Sequence, residues 1–85
     1  MAIYYVYIIC NLEGVYYKGF SFNPTKRLEE HNLGKSRYTS NRGPWHLVFV
    51  TSFVKKSEAL KYEKMLKRQN HVYLEWLIKS NRNEL

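Results

Sequence analysis

The chain has 85 residues, which is enough for one hydrophobic core and too short for two. It carries 14 Lys and Arg against 7 Asp and Glu, so a net charge of +7 sits on a small surface. That charge favours polyanionic partners, nucleic acid first and anionic membrane second, although solubility alone explains it equally well. No apolar run approaches the ~18 residues of a membrane span and no secretory signal pattern is present, so we expect a cytoplasmic protein without membrane partners.

The first two predicted elements form a β-hairpin. Residues 3–10 are apolar on both alternating faces, which is typical of a strand covered on both sides, so we expect it at the centre of the sheet. A short polar break that ends in Gly14 leads to a second strand over residues 15–20. Tyr7 and Tyr17 share a face only if the connection has an odd number of residues, for example three with a bulge at the glycine.

The first predicted helix covers residues 24–33. Asn23 supplies the N-cap, a proline occupies the first helical position where a missing N–H costs nothing, and Gly34 ends the helix. Arg27 and His31 are spaced i, i+4 and therefore share one face. If the two tyrosines of the hairpin face this pair, the cluster suits phosphate chemistry better than it suits a core.

The second half of the chain predicts a third strand and two helices. Residues 45–54 are rich in β-branched and aromatic side chains, which is typical of a strand. Ser57 is expected to cap a second helix that runs to about Arg68, and Asn70 a third helix. The inward stripe of the second helix, at a spacing of 3.6 residues, is Ala59, Tyr62, Glu63 and Leu66.

The predicted order ββαβαα indicates an α+β fold with one three-stranded antiparallel sheet packed by helices. We expect residues 1–85 to form a single domain with its core at about 3–78. The tail over residues 80–85 lacks a periodic pattern and is expected to be frayed.

Four short segments occur in one characteristic order and spacing. Any one of them alone would be an unspecific signal, but the four together are specific. They are Tyr5-Val6-Tyr7, Tyr17-Lys18-Gly19, Lys26 to Asn32, and Ser57 to Leu60 followed by Glu63. Together they resemble the GIY-YIG nuclease domain, above all its small stand-alone bacterial members related to the N-terminal domain of the excision-repair nuclease. The resemblance implies the same ββαβαα architecture. It also implies a metal-dependent endonuclease that hydrolyses phosphodiesters of DNA, or of RNA, in repair or recombination.

Glu63 is the most informative single residue, because it lies on the apolar stripe of its helix, where a carboxylate is costly unless it is paired or bound to metal. The pattern alone favours a structural ion pair, for example with Arg27, or a helix rotated so that the carboxylate reaches solvent. The resemblance reverses that preference, because the position matches the metal-binding glutamate of the family. Hard oxygen ligation suits Mg²⁺ or Mn²⁺.

The resemblance assigns catalytic roles to four further side chains. Arg27 would grip the phosphate in a bidentate fork, whereas an ordinary helix-surface arginine forms a salt bridge in water. His31 would position or deprotonate a reacting group. The alternative is a solvated histidine at a helix end. Tyr17 would orient or deprotonate the attacking water, with Tyr7 hydrogen bonding in support, although tyrosines also simply fill strands.

The loop after the first helix combines basic side chains with an aromatic one, which is consistent with contacts to the nucleic-acid backbone or with base stacking. A solvated loop without a ligand is the alternative. The residues concerned are Lys35, Arg37, Tyr38, Thr39 and Arg42.

The chain departs from the family pattern at two positions. Tyr5 stands where the family name has its first glycine, and Lys18 replaces the usual apolar or small residue, although alternation turns it away from Tyr17. No second DNA-binding domain follows in this sequence. A rival hypothesis is therefore a non-catalytic nucleic-acid-binding module, or an adaptor for a larger protein partner that supplies specificity.

Overall fold

Three strands and three helices follow one another in the order ββαβαα in the computed structural model, which describes residues 2–85. The elements are β1 (Tyr4–Asn11), β2 (Tyr16–Ser21), α1 (Pro24–Asn32), β3 (Trp45–Phe53), α2 (Lys56–Leu66) and α3 (His71–Ile78). The sheet is antiparallel with the order β2-β1-β3, so the predicted fold class and the central place of β1 are confirmed. Within these residues no helix combines the length and the hydrophobicity that crossing a membrane requires.

Residues 12–15 separate β1 from β2, but only the three residues 12–14 lie beyond the last hydrogen-bonded pair of the hairpin. The N–H of Asn11 donates to the Val15 carbonyl at 3.1 Å and closes the turn. Gly14 has a φ of +81°, the left-handed conformation that a three-residue hairpin needs at its bulge and that glycine adopts without steric cost. The connection therefore has the odd count on which the sequence prediction depended.

The register of the hairpin determines which side chains share a face. Tyr7 lies opposite Gly19 and Ile9 lies opposite Tyr17. Directly opposed residues of an antiparallel pair project to the same side of the sheet. Both motif tyrosines therefore lie on one face, while Lys18, which is opposite Ile8, projects to the other.

The sheet separates two hydrophobic clusters, and β1 contributes alternate residues to both. The cluster under α2 and α3 contains Val6, Ile8, Phe49, Ala59, Leu66, Leu74 and Leu77, all of them buried. The cluster on the face of α1 contains the buried residues Tyr7, Ile9, Trp45 and Val50. Full burial of an aliphatic or aromatic side chain stabilises the fold by about 1.5–3 kcal/mol, so both faces hold β1 in place.

Two of the three helices begin at the residues that the sequence predicts. The Asn23 side chain accepts a hydrogen bond from the Lys26 N–H at 3.1 Å at the start of α1. The Asn70 side chain accepts one from the Tyr73 N–H at 2.9 Å at the start of α3. Each bond satisfies a backbone donor that the helix itself leaves without a partner.

The predicted cap of α2 is wrong. Ser57 lies inside the first turn, and Lys55 occupies the cap position without any side-chain cap hydrogen bond. The Lys55 carbonyl already accepts the first helical hydrogen bond, from Ala59 at 3.2 Å. Packing of the apolar stripe onto the sheet sets the start of this helix, since tertiary contacts supply most of a helix's stability and a cap only about 1 kcal/mol.

The prediction of a frayed end is also wrong for Asn83 and Glu84. The Glu84 N–H donates to the Val50 carbonyl at 2.8 Å, and the Asn83 side chain donates to the Val48 carbonyl at 2.9 Å and accepts from the Val50 N–H at 3.2 Å. The tail thus covers the outer edge of β3, which would otherwise present unpaired backbone groups. The partners are more than thirty residues apart, so no local pattern could indicate this pairing.

Replacing Asn83 with Ala should lower the free energy of unfolding by about 1–3 kcal/mol, because the Val50 N–H and the Val48 carbonyl lose their side-chain partner. Urea unfolding followed by circular dichroism measures the change. Asn81→Ala is the matched control, since Asn81 is exposed two residues away, and should change stability by less than about 0.5 kcal/mol. Equal stability of the two variants would mean that the tail does not hold β3 in solution.

Candidate active site

A chain of hydrogen bonds connects β1, α1 and the loop that follows α1. The Tyr7 hydroxyl lies 2.8 Å from Nε2 of His31, and Nδ1 of the same ring lies 2.7 Å from Oγ1 of Thr39. All three residues are only 1% exposed. Buried polar groups need partners, and here both ring nitrogens have one. The alternative of a solvated His31 is therefore wrong.

The donors and acceptors of this chain follow from its chemistry. Within residues 2–85 the buried Tyr7 hydroxyl has only Nε2 of His31 as a possible acceptor, because the neighbouring Arg27 guanidinium can only donate; we therefore assign the phenol as the donor and Nε2 as the nitrogen without a proton. The proton of the neutral ring is then on Nδ1, which donates to Thr39 Oγ1. The lone pairs of the phenol oxygen consequently remain free to accept from another group.

Burial keeps both members of the pair neutral. It raises the pKa of Tyr7 to about 12; the positive charge of Arg27 opposes this rise, and the negative charge of Glu63 adds to it. Burial also lowers the pKa of His31, and Arg27 acts in the same direction. A neutral phenol beside a neutral imidazole is therefore the ground state near pH 7.

Gly19 allows the Tyr7 ring to reach His31. The ring crosses β2 at the opposed glycine, where an added Cβ would lie 2.9 Å from the ring atom Cε2 and closer still to the phenol oxygen. Contacts that close do not occur between real side chains, so any larger residue here would displace the ring. The glycine of the second motif thus provides space for a neighbouring side chain.

Tyr17 lies beside the same histidine. Its ring packs edge-on against the His31 ring, with the centroids 5.0 Å apart and an interplanar angle of 63°. Unlike Tyr7 it is partly exposed, and it lines an open groove at the surface. The structure therefore brings Tyr7, Tyr17 and His31 together, with Tyr17 on the solvent side.

Arg27 lies next to this cluster and is held by a local ion pair. Its guanidinium donates to the Glu30 carboxylate at 2.8 Å, and about a third of each side chain is exposed. The pKa of Arg27 is raised chiefly by that hydrogen bond, with a further contribution from the Tyr7 hydroxyl. Exposed pairs of this kind are worth only about 0–1 kcal/mol, so a phosphate group can replace the glutamate.

Glu63 approaches from the helix on the opposite face of the sheet. Its carboxylate is 3.7 Å from the Lys67 ammonium, so the suggested pairing with Arg27 is wrong. The side chain is only 19% exposed, and its contact with Lys67 is longer than a hydrogen bond. Its negative charge raises the pKa of Tyr7, but less than burial and the neighbouring Tyr17 do.

The donor set around Glu63 limits the kind of metal site that the chain can form. Within residues 2–85 no three or more His, Cys, Asp or Glu side chains are grouped so that they could hold an ion. A single carboxylate with unused oxygen lone pairs fits Mg²⁺ or Mn²⁺, which keep several waters and complete their coordination with substrate phosphates. It does not fit zinc, which takes three or four protein ligands.

The basic loop divides into two groups. Tyr38 and Arg42 line the groove that Tyr17 also lines, whereas Lys35 and Arg37 are exposed and do not line it. The loop is anchored to the site because the carbonyl of Thr39 accepts from the Trp45 indole N–H at 3.1 Å. The structure therefore brings only part of the predicted nucleic-acid surface next to the cluster.

Three partner residues were not predicted. Glu30 follows its partner Arg27 by three residues, and Lys67 follows its partner Glu63 by four. Opposite charges at these spacings meet on a helix, so the sequence did contain a signal for both pairs. Thr39 had been grouped with the basic loop, but its hydroxyl bonds to the His31 ring. No periodic pattern connects a loop threonine to a histidine eight residues earlier.

Comparison with known proteins identifies a family and several relatives. A family model described as the GIY-YIG catalytic domain matches residues 3–74. A UPF0213 protein of Oceanobacillus iheyensis is 38% identical over 66 residues, which cover 76% of this chain and 77% of that protein. A UPF0213 protein of Staphylococcus aureus is 40% identical over 68 residues, covering 79% and 83%. The resemblance indicated by the four motif segments is confirmed.

Solved structures show the same architecture. The solution NMR structure of a UPF0213 protein from Bacillus halodurans has 31% sequence identity and a TM-score of 0.62, covering 96% of this chain and 88% of that one. A solution NMR structure of a protein from E. faecalis has 27% identity and a TM-score of 0.63, covering 100% and 96%. The α+β fold is therefore shared with solved structures over nearly the whole chain.

Gly19→Ala should lower the free energy of unfolding by about 1–3 kcal/mol, because the new methyl group displaces the Tyr7 ring. It should also shift the His31 ring resonances in NMR spectra as the hydrogen bond to Tyr7 is lost. In a Tyr7→Leu background the same substitution should cost much less, because the ring is absent. Equal costs in both backgrounds would show that the glycine is needed for another reason.

Stability should also depend on pH through His31. Because burial lowers its pKa in the folded chain, the unfolded chain takes up the proton first as the pH falls. The free energy of unfolding should be constant above about pH 6.5 and decline from there towards the lowered pKa of the folded state. Urea unfolding between pH 7.5 and 5.0 measures this slope, which His31→Gln should reduce and His46→Gln, at an exposed position, should not. An unchanged slope in His31→Gln would assign the effect to other groups.

Proposed function

This chain belongs to the GIY-YIG family, and we propose from that premise that it is a metal-dependent phosphodiesterase that cleaves DNA, with RNA as a second substrate class. The family is one of nucleases, and a net charge of +7 favours a polyanionic substrate. The observation that carries the proposal is the single cluster formed around the buried bond between Tyr7 and His31. Its other proposed members are Tyr17, Arg27 and Glu63.

Arg27 is proposed to bind the scissile phosphate. Its present partner Glu30 is partly exposed and exchangeable, and a guanidinium matches two phosphate oxygens at once. Charge accumulates on those oxygens as the water attacks, so the fixed positive charge stabilises the transition state more than the ground state. Proximity to Tyr7 places this charge beside the proposed proton-accepting group.

Glu63 is proposed to be the protein ligand of the metal. GIY-YIG nucleases generally use divalent metals, and a largely buried carboxylate whose ion pair with Lys67 is as long as 3.7 Å fits a hard cation. A bound divalent ion supplies Lewis-acid polarisation of a phosphate oxygen. The ammonium of Lys67 neutralises part of the Glu63 charge in the absence of an ion and can turn to solvent when one binds, because more than half of its side chain is exposed.

Tyr17 is proposed to orient the attacking water, with Tyr7 and His31 receiving its proton. Tyr17 is on the solvent side of the cluster and is reachable from the groove. The phenol of Tyr7 donates to His31, so its oxygen has free lone pairs that can accept a proton while its own proton moves to Nε2. Thr39 holds the ring in the tautomer that this transfer requires. General base catalysis of this kind contributes about 10²–10⁴-fold to the rate.

Glu63→Gln and Arg27→Ala should each reduce cleavage by about 10²-fold or more, because each removes a charge proposed to act on the scissile phosphate. Cleavage of an end-labelled DNA in Mg²⁺ or Mn²⁺ measures the effect. Glu58→Gln is the matched control for Glu63, since it removes an exposed carboxylate from the same helix, and should leave the rate unchanged.

Glu30→Gln separates a catalytic from a structural role of Arg27. It removes the ion pair but leaves the guanidinium, so cleavage should persist at or above the wild-type rate. A loss equal to that of Arg27→Ala would mean that only the ion pair matters. Equal cleavage by wild type, Glu63→Gln and Arg27→Ala would point to a contaminating nuclease, and DNA binding without cleavage would favour a non-catalytic module.

A further inference from the structure

An open groove of about 380 Å³ runs along the outer edge of β2, beside the candidate active site. This volume is in the range of small-ligand sites, about 300–1,000 Å³. Tyr17 belongs to both the groove and the cluster around His31, so whatever occupies the groove lies next to the proposed reaction centre. The lining residues are Val15, Tyr16, Tyr17, Tyr38, Arg42, Trp45 and Lys67.

Aromatic rings form much of the groove wall. Tyr38 is 72% exposed although it is one of the largest side chains of the loop. Trp45, in contrast, is 2% exposed and forms the base of the wall. A planar ring that is left in water beside a groove offers a stacking surface, and stacking of one nucleic-acid base on such a ring is worth about 1–3 kcal/mol.

The charged side chains that line the groove are both basic, although one of them, Lys67, lies 3.7 Å from the Glu63 carboxylate. Arg42 and Lys67 are its charged lining residues, and no carboxylate lines it. Burial lowers the pKa of Lys18, and the like charge of Lys67 acts in the same direction. An anion near these two ammonium groups would relieve their repulsion, which is what a nucleotide phosphate supplies.

The groove wall is rigidly connected to the cluster. Tyr38 directly precedes Thr39, whose hydroxyl accepts from the His31 ring and whose carbonyl accepts from the Trp45 indole. Buried hydrogen bonds of the next residue therefore anchor the backbone at Tyr38 beside the cluster.

We propose that this groove binds one unpaired nucleotide next to the scissile phosphate, an inference that rests on the proposed function. The preferred substrate is then single-stranded or locally unpaired DNA. A base in an intact duplex is covered on both faces by its neighbours and cannot stack on Tyr38. Only a base that has left the stack presents a free face to the ring while its phosphate meets Arg42 and Lys67.

The test compares binding of a fluorescein-labelled single strand and of a hairpin duplex of the same sequence, by anisotropy without divalent metal. Tyr38→Ala should weaken binding of the single strand by about 10-fold and that of the duplex by less than about 2-fold. Tyr38→Trp should retain the affinity for the single strand. Trp76→Ala, which removes an exposed aromatic side chain that does not line the groove, should leave both affinities unchanged.

A single abasic nucleotide moved along the strand provides the second arm. At one position in the strand, the abasic nucleotide should weaken binding to the wild-type protein by about the same factor as Tyr38→Ala does. At that position the abasic nucleotide should not weaken binding to the Tyr38→Ala variant any further. Equal losses of Tyr38→Ala on strand and duplex, or no position-specific abasic effect, would overturn the proposal. Binding is measured without metal, so this test is independent of the cleavage test. If the preference for single strands is absent, the cleavage results for Glu63 and Arg27 still hold. If cleavage is absent, the binding result for the groove still holds.

Discussion

The hydrogen bond between Tyr7 and His31 is the constraint on which the site depends. It requires a glycine opposite the tyrosine, because the ring crosses β2 at Gly19. It also requires a hairpin of odd length, because an even connection would place Lys18 or Phe20, and not Gly19, opposite Tyr7. Finally it requires that the loop after α1 return to the helix so that Thr39 reaches the second ring nitrogen. Sheet register, strand composition and loop path therefore all serve one buried contact.

The charged residues of the site are held differently from its neutral ones. Tyr7 and His31 are fully buried and their hydrogen bond is costly to break, whereas Arg27 and Glu63 have partners on the same helix that are weak and partly exposed. Buried groups fix the geometry, and exchangeable ion pairs would leave the two charges available for the phosphate and the cation of the proposed reaction. The difference in burial supports a division between positioning and binding side chains.

The fold, and the meeting of Tyr7, Tyr17 and His31 in the candidate site, could be predicted because the signals are local. Asn23 and Asn70 cap helices through bonds that span three residues, and the three-residue turn fixes which face Tyr17 occupies. What could not be predicted depends on contacts distant in sequence. Asn83 bonds to a strand more than thirty residues earlier, and Thr39 lies in a loop with no periodic pattern. The basic residues of the loop suggested contacts with nucleic acid, and nothing in the sequence indicated that the buried Thr39 hydroxyl bonds to His31.

That hydroxyl also links the two surfaces of the proposed nuclease. Thr39 lies between the His31 ring, which it orients, and Tyr38, which forms the exposed wall of the groove. A nucleotide stacked on Tyr38, as proposed, would contact the residue next to the one that orients the histidine ring. Binding energy gained there would hold the substrate against a site whose geometry the buried hydrogen bonds already set, which is how remote contacts come to support a reaction centre.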